Sequence, residues 1–265
     1  MEISIAAESI FHIFGVPITN SMILSFVVLI FLSVLTYFGT RKMETVPHGM
    51  QNVLELAVEK LLNLVDSITH DRKFSLRIFP ILATFFIFIL INNWVGILPG
   101  VGSIGVTHLV HGKEVFIPLF RAGTADLNTT IMLGIAAVIA IQVVGITTLG
   151  LFRYGKKFFD FSSPLGFFIG LIELLSEMIR IISFAFRLFG NVFAGEVLLI
   201  ILADLTPYIA PVPFYIMELF VGFIQALVFT MLALVFMTMA TVTHGPDDHK
   251  KEEAQEEEPG QLETA

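Results

Sequence analysis

The sequence predicts an all-α integral membrane protein with three transmembrane spans, an interfacial amphipathic helix and a long tilted two-helix hairpin. Three observations carry that prediction. The 265 residues are 55% hydrophobic and only 14% charged, against roughly 45–50% apolar and 25% charged in a soluble domain. The apolar residues gather into segments near or above the ~20 residues needed to cross a hydrocarbon layer. The basic residues gather in the connections between those segments.

The first apolar run, Met22 to Phe38, predicts a span over about 20–40, with Arg41 and Lys42 directly after it. His48 to His70 differs. Val53, Leu54, Leu56, Ala57, Val58, Leu61, Leu62, Leu64 and Val65 are interleaved with Glu55, Glu59, Lys60, Asn63 and Asp66. That helical period with one polar face suits a helix at the membrane surface, over about 48–70; a helix packed on a neighbour outside the bilayer is the alternative. Ile78 to Leu98 predicts the second span, about 77–98. Its end carries the single tryptophan, Trp94, a residue that settles at membrane interfaces. Pro99 to Asp126 contains Gly and Pro and reads as an ordered loop with room for short strands. Leu127 to Phe152 predicts the third span, about 127–152, followed by Arg153, Lys156 and Lys157.

Two long apolar segments remain, about 164–205 and 207–243. As helices they would measure roughly 60 and 50 Å, against a hydrocarbon core of about 30 Å. Each is therefore tilted, broken or a pair of short spans. Thr206-Pro207 and Pro211-Val212-Pro213 mark the turn between them. The absence of an internal Gly-Pro cluster favours two long tilted helices. Residues 244–265, with a run of like charges around Asp247 to Glu258, predict a disordered acidic tail.

Basic residues orient the chain. Arg41, Lys42, Lys60, Arg72, Lys73 and Arg77 lie between the first two spans, and Arg153, Lys156 and Lys157 follow the third; only Lys113 and Arg121 lie between the second and third. By the positive-inside rule 99–126 is outside, the N-terminus is outside and the acidic tail is cytoplasmic. With no cysteine, disulfides and thiolate metal sites are excluded. No basic patch points to nucleic acid, and much of the net charge of −8 belongs to the tail. Glu2 and Glu8 stand where a signal peptide would place basic residues, so none is expected.

The segment Leu165–Leu205 holds six charges: Glu173, Glu177, Arg180, Arg187, Glu196 and Asp204. A charge at the bilayer centre costs about 2.5–3.5 kcal/mol on insertion scales and usually serves a function. At ~100° per residue, Glu173, Glu177, Arg180, Arg187 and Asn191 fall within about 40° of one line along the helix. Glu196 lies about 140° away from that line. On the last helix Glu218 and Gln225 share a face, with Gly222 between them. Charges in such a stripe can simply pair and hold helices together. Glu173 or Glu177 with Arg180 fits that structural reading as well as a functional one. Arg187 has no acid three or four residues away, so its partner must come from another helix, water or another subunit. Glu196 and Glu218 are likewise unpaired locally. Buried carboxylates without partners can exchange protons near neutral pH.

At this point the residues resemble a family. Phe186-Arg187-Leu188-Phe189-Gly190-Asn191-Val192-Phe193-Ala194-Gly195-Glu196 is similar to the signature of subunit a of the F-type ATP synthase membrane sector. Supporting stretches are Arg121 to Thr130, Asn93 to Gly100 and Gln225 to Phe229, and the resemblance spans about Met22 to Thr243. It implies that Arg187 faces the c-subunit rotor ring, forces each ring carboxylate to release its proton, and blocks leakage between two half-channels. Asn191 and Gln225 would flank that interface. Glu196 and Glu218 would line the half-channel open to the outside, with Asn128 and Asp126 near its entrance. Glu173 and Glu177 would belong to the cytoplasmic half-channel. Implied partners are the ring, the peripheral-stalk b subunits and the rest of the synthase, in a bacterial plasma (inner) membrane, without cofactor or metal. The chain departs from the family pattern at Ile181, where a proline often follows the basic residue, at Glu218, a histidine in some relatives, and at Glu177.

Other function classes explain less. An ion-coupled secondary transporter predicts repeats or Gly/Pro-interrupted midplane helices, and neither is present in the sequence. An intramembrane enzyme would need metal ligands or a nucleophile. The histidines, His12, His48, His70, His108, His111, His244 and His249, are scattered, and the outside pair His108/His111 reads as ordinary loop. A purely structural scaffold leaves Arg187 unexplained. No Gly-rich phosphate loop is present, so nucleotide chemistry is expected in partner subunits.

Overall fold

The computed structural model describes residues 7–13, 15–41, 43–45, 48–98, 100–101, 104–110, 113–158, 164–206 and 211–241. Residues 244–265, the expected acidic tail, lie outside them, as do Pro99, His111, Pro207, His244 and His249; the side chains of His108 and Lys113 are likewise not described. The described chain is largely helical: α1 Asn20–Thr40, α2 Met50–Thr69, α3 Arg72–Ile97, α4 Leu127–Leu149, α5 Leu151–Phe158, α6 Pro164–Leu205 and α7 Pro211–Thr241. Five of these, α1, α3, α4, α6 and α7, are long and apolar enough to cross a membrane. An unbroken helix satisfies its own backbone hydrogen bonds, which hydrocarbon cannot do.

Helix starts follow local chemistry. The Thr19 side chain accepts the backbone N–H of Met22, and Asp71 accepts those of Lys73 and Phe74. Asp126 accepts that of Asn128. Each replaces a donor bond missing from a first helical turn. Between α2 and α3 the chain reverses at His70, left-handed at φ 53°, and Arg72 pairs back to Asp66.

The core lies among α3, α4, α6 and α7. Ile78, Leu82 and Ile89 of α3 and Ala137, Ile141 and Val144 of α4 meet Phe184, Leu188 and Val192 of α6 and Phe229, Ala233, Leu234 and Met237 of α7. Phe184 and Phe229 approach with ring centroids 4.7 Å apart. Outside this bundle α1 rests on α3 through Leu24 and Val28, while Phe26, Ile30 and Phe31 point outward. On α2, Leu61, Leu62 and Val65 are buried, and Val53, Leu56 and Val58 are exposed.

The structure refines the expected elements at three places. The third span, expected to reach Phe152, stops at Leu149. Gly150 takes φ 85° and caps the Ile146 carbonyl, and the chain restarts as α5. Tyr154 of α5 packs where a Cβ at Gly145 would stand and donates a hydrogen bond to Gln142 Oε1 at 2.5 Å. Glycine at both positions permits this fold-back. Second, the stretch 99–126 holds a hairpin, β3 Gly105–Val110 with β4 Lys113–Pro118, and then a 3-10 turn at Gly123–Ala125. Third, an N-terminal hairpin, β1 Ser9–Ile13 with β2 Val16–Thr19, precedes α1. Its strands are too short for alternation alone to reveal. The two long helices α6 and α7 are each continuous, 42 and 31 residues.

Two predictions follow from this packing. At Gly134 of α4 a Cβ would stand 2.9 Å from the Ile181 carbonyl oxygen of α6, and backbone cannot swing aside. Gly134→Leu should therefore cost about 1–3 kcal/mol, read as a lower unfolding midpoint in detergent. Tyr154 has its hydroxyl pushed up to about 12 by burial first, then by the charge of Glu177. The folded state keeps this proton where the unfolded chain, with a tyrosine near 10, loses it. Tyr154 thus stabilises below about pH 10, and that contribution falls away as pH rises toward 12; stability measured against pH should show a shallower alkaline decline in Tyr154→Phe.

Candidate functional site

The polar residues of α6 and α7 form three groups along the bundle. The middle one centres on Arg187. Ser183, Phe186, Arg187, Gly190, Asn191 and Ala194 are all exposed, and their spacing of three and four puts them on one face of α6. Arg187 makes no hydrogen bond or ion pair among the described residues. Beside it the Asn191 Nδ2 donates to Gln225 Oε1 of α7 at 2.6 Å, so these two side chains stay tied to each other. Gln225 is buried, and its Nε2 has no hydrogen-bond partner among the described residues.

The second group lies toward the end of α6 and the start of α7. Arg121, next to the 3-10 turn, is only 9% exposed, and its Nε donates to Glu196 Oε2 at 3.2 Å. Its guanidinium also lies 5.7 Å from the centre of the Phe193 ring. Glu196, off the stripe by its helical angle, therefore finds its counter-charge in the loop between α3 and α4. Glu218 of α7 is 4% exposed. Its carboxylate sits directly over Gly195, in the space a Cβ there would fill. Glycine at that point of the arginine motif lets the carboxylate occupy the position of a side chain, which any larger residue would displace.

The third group lies toward the start of α6. Arg180 Nη1 donates to Glu177 Oε1 at 2.5 Å, and the guanidinium stacks 4.2 Å from the Phe236 ring centre of α7. Of the two acids that could pair with Arg180, the structure selects Glu177 at i,i+3. Arg180 and Arg187, with Ser176, Ser183, Phe184, Leu232 and Phe236, line a cavity of about 290 Å³. Water needs roughly 30 Å³ per molecule in the liquid and a few polar partners, so this space suits several waters.

The expected entrance residues part company. Asn128 is exposed, whereas Asp126 is 3% exposed and fully engaged. Its Oδ2 accepts Ser21 Oγ at 2.8 Å and Thr129 Oγ1 at 3.3 Å, and its Oδ1 accepts the Asn128 N–H at 3.2 Å. Asp126 thereby ties α1 to the start of α4. The sequence reading did not assign a role to Asn93, although it lies in a matching stretch. Its Nδ2 donates to the Gly222 carbonyl at 3.0 Å and its Oδ1 accepts Thr124 Oγ1 at 2.6 Å. Trp94 Nε1 donates to the Leu219 carbonyl at 3.1 Å. These contacts brace α7 where it carries Glu218 and Gln225. Paired asparagines inside an apolar run were the available signal.

The sequence model of the ATP synthase A chain family matches residues 21–238. The chain belongs to that family. Relatives named ATP synthase subunit a include one from Gloeobacter violaceus, 34% identical over 87% of this chain and 86% of its own length. Another, from Trichlorobacter lovleyi, is 35% identical over 82% of this chain and 85% of its own. A third, from Moorella thermoacetica, is 33% identical over 89% and 96%. The family and the five membrane-capable helices make this a multi-pass membrane protein of the ATP synthase complex. All three polar groups fall within the matched residues.

The Arg121–Glu196 pair carries a prediction about stability. Removing one partner of a poorly hydrated pair leaves an uncompensated charge. Because Glu196 keeps a third of its side-chain surface exposed, Arg121→Leu should cost about 1–3 kcal/mol. The double change Arg121→Leu with Glu196→Leu should recover much of that loss, as read in thermal unfolding of the purified subunit complex.

Proposed function

We propose that this chain is the stator subunit that passes protons to and from the carboxylates of a rotating c-ring through two half-channels. The observation that carries the reading is the exposed face of α6 that presents Arg187 without a partner among the described residues. Such a cation costs too much in a membrane to be kept for packing. An approaching carboxylate from another subunit gives it a partner. Gly190 has open space around it, and Ala194 is exposed one turn further on, so a second helix can come close to that face.

A proton entering from outside reaches Glu196 and Glu218, with Asn128 near the entrance and Asp126 holding the mouth of α4 in place. It crosses near Asn191 and Gln225 to a ring carboxylate. On the other side of Arg187, the ring carboxylate is driven to its ionised form by the fixed cation. The released proton leaves by the cavity toward Glu173 and Glu177. Because Arg187 separates these two routes, protons pass between them only by riding the ring. Each charge moved across the membrane yields about 2.3 kcal/mol per 100 mV, so several are used per ATP.

In this reading the N-terminus lies outside and the tail lies in the cytoplasm of a bacterium, with peripheral-stalk b subunits holding the chain against rotation. Nucleotide chemistry belongs to partner subunits. At 42 and 31 residues, α6 and α7 exceed the ~20 that an upright span needs, which fits strongly tilted helices following a ring.

The test is proton movement in membrane vesicles driven by ATP and by respiration, with native chain and Arg187→Ala. Expected is loss of both coupled pumping and ATP synthesis, by at least about 100-fold (about 2.7 kcal/mol), with the complex still assembled. Unchanged coupling in an assembled complex would remove the stator role.

A further inference from the structure

Resting on the half-channel reading above, the geometry points to Glu177 as the group that takes up and releases each proton on the inner side of Arg187, with Arg180 as its positioning residue. Glu177 is 7% exposed, and its two oxygens differ. Oε1 accepts from Arg180 Nη1 at 2.5 Å, whereas Oε2 is buried and has no hydrogen-bond partner among the described residues. Arginine–carboxylate pairs frequently engage both oxygens in a fork, whereas this one uses Oε1 alone. Here one oxygen anchors the group and the other is left for a proton.

Arg180 is itself fixed from two directions, by Glu177 and by the Phe236 ring of α7 at 4.2 Å. It also lines the cavity that Ser176, Ser183 and Arg187 share. Arg180 stands seven residues before Arg187, about 10 Å along the helix, a distance that a few waters span. The cavity thus leads from the arginine that discharges the ring to the guanidinium that holds Glu177.

The step balances simply. Glu177 lies behind Arg180 and does not itself line the cavity, so a hydronium ion must pass the Arg180 side chain; it then gives a proton to Oε2, forming the carboxylic acid and water. The acid then gives that proton to water on the inner side, restoring the carboxylate beside Arg180. Arg180 on α6 pairs with Glu177 directly, and Glu177, Arg180 and Glu173 all lie close enough to act on Tyr154 of α5. Tyr154 stays protonated far above neutral pH and its hydroxyl is already given to Gln142, so it does not carry the proton onward.

The experiment compares native synthase complex in liposomes with Glu177→Gln, Glu177→Asp, the double variant Glu177→Gln with Arg180→Gln, and Arg187→Ala. Proton flux through the complex is measured under an imposed gradient at several inner-side pH values, after subunit content is checked. Expected for Glu177→Gln is at least a tenfold slower flux that no longer varies with inner-side pH. Glu177→Asp should keep a large part of the flux with a displaced pH profile. The double variant has balanced charges and no relay, and should be as slow as Glu177→Gln. Native flux in the double variant would reduce Glu177 to a counter-ion and overturn the proposal, as would native flux in Glu177→Gln. If Arg187→Ala uncouples while Glu177→Gln runs at the native rate, the relay alone is wrong. If Arg187→Ala also stays coupled, the half-channel reading falls with it.

Discussion

Arg187 stands near mid-length of α6 with no ion pair to any carboxylate among the described residues, and the nearby polar contacts are arranged so that none reaches it. Glu177, toward the start of α6, is held by Arg180. Glu196, toward the end of α6, is held by Arg121. Asn191, one turn away on the same face, gives its amide to Gln225. Hydrocarbon offers no competing water, so each of these groups stays with the partner the fold supplies. On this face of α6 Arg187 is left available among the described residues, flanked by neutralised pairs.

That arrangement depends on close packing at glycine. Gly195 lets Glu218 lie against α6, and Gly134 lets α4 approach the Ile181 backbone. At Gly134 a methyl group would collide with backbone, which cannot swing aside; at Gly195 it would displace the Glu218 carboxylate from its place. Polar braces complete the frame. Asn93 joins the 3-10 turn to α7, and Asp126 joins α1 to α4. The loop between α3 and α4 is therefore part of the bundle. It contributes Arg121 to Glu196 and holds the helix that carries Glu218.

The helices were legible because hydrocarbon imposes a simple rule of length and composition. The apolar runs at 22–38, 78–98 and 127–152 and the two long segments each became helices, although the second begins at Arg72, five residues before its expected start, because Asp71 caps it there. The misjudged end, at Leu149, turned on a glycine taking a left-handed conformation within a stretch of unbroken hydrophobicity. The N-terminal hairpin was hidden because nine short residues carry too few alternations to stand out. For the site, helical periodicity was enough to place Glu173, Glu177, Arg180, Arg187 and Asn191 along one stripe. It could say that Glu196 left the stripe, but could not say toward what.

The sequence by itself determined that the chain lives in a membrane, which segments are helical, and that an arginine without a local acid sits at the centre of one of them. Those properties depend on residues near one another along the chain, where composition and a 3.6-residue period are sufficient. Only the tertiary structure decided the partners: Arg121 for Glu196, 75 residues away, Gln225 for Asn191, 34 away, and Gly195 beneath Glu218. Those choices depend on how helices far apart in sequence cross, and on which side chain is small enough at the crossing to let a polar group in.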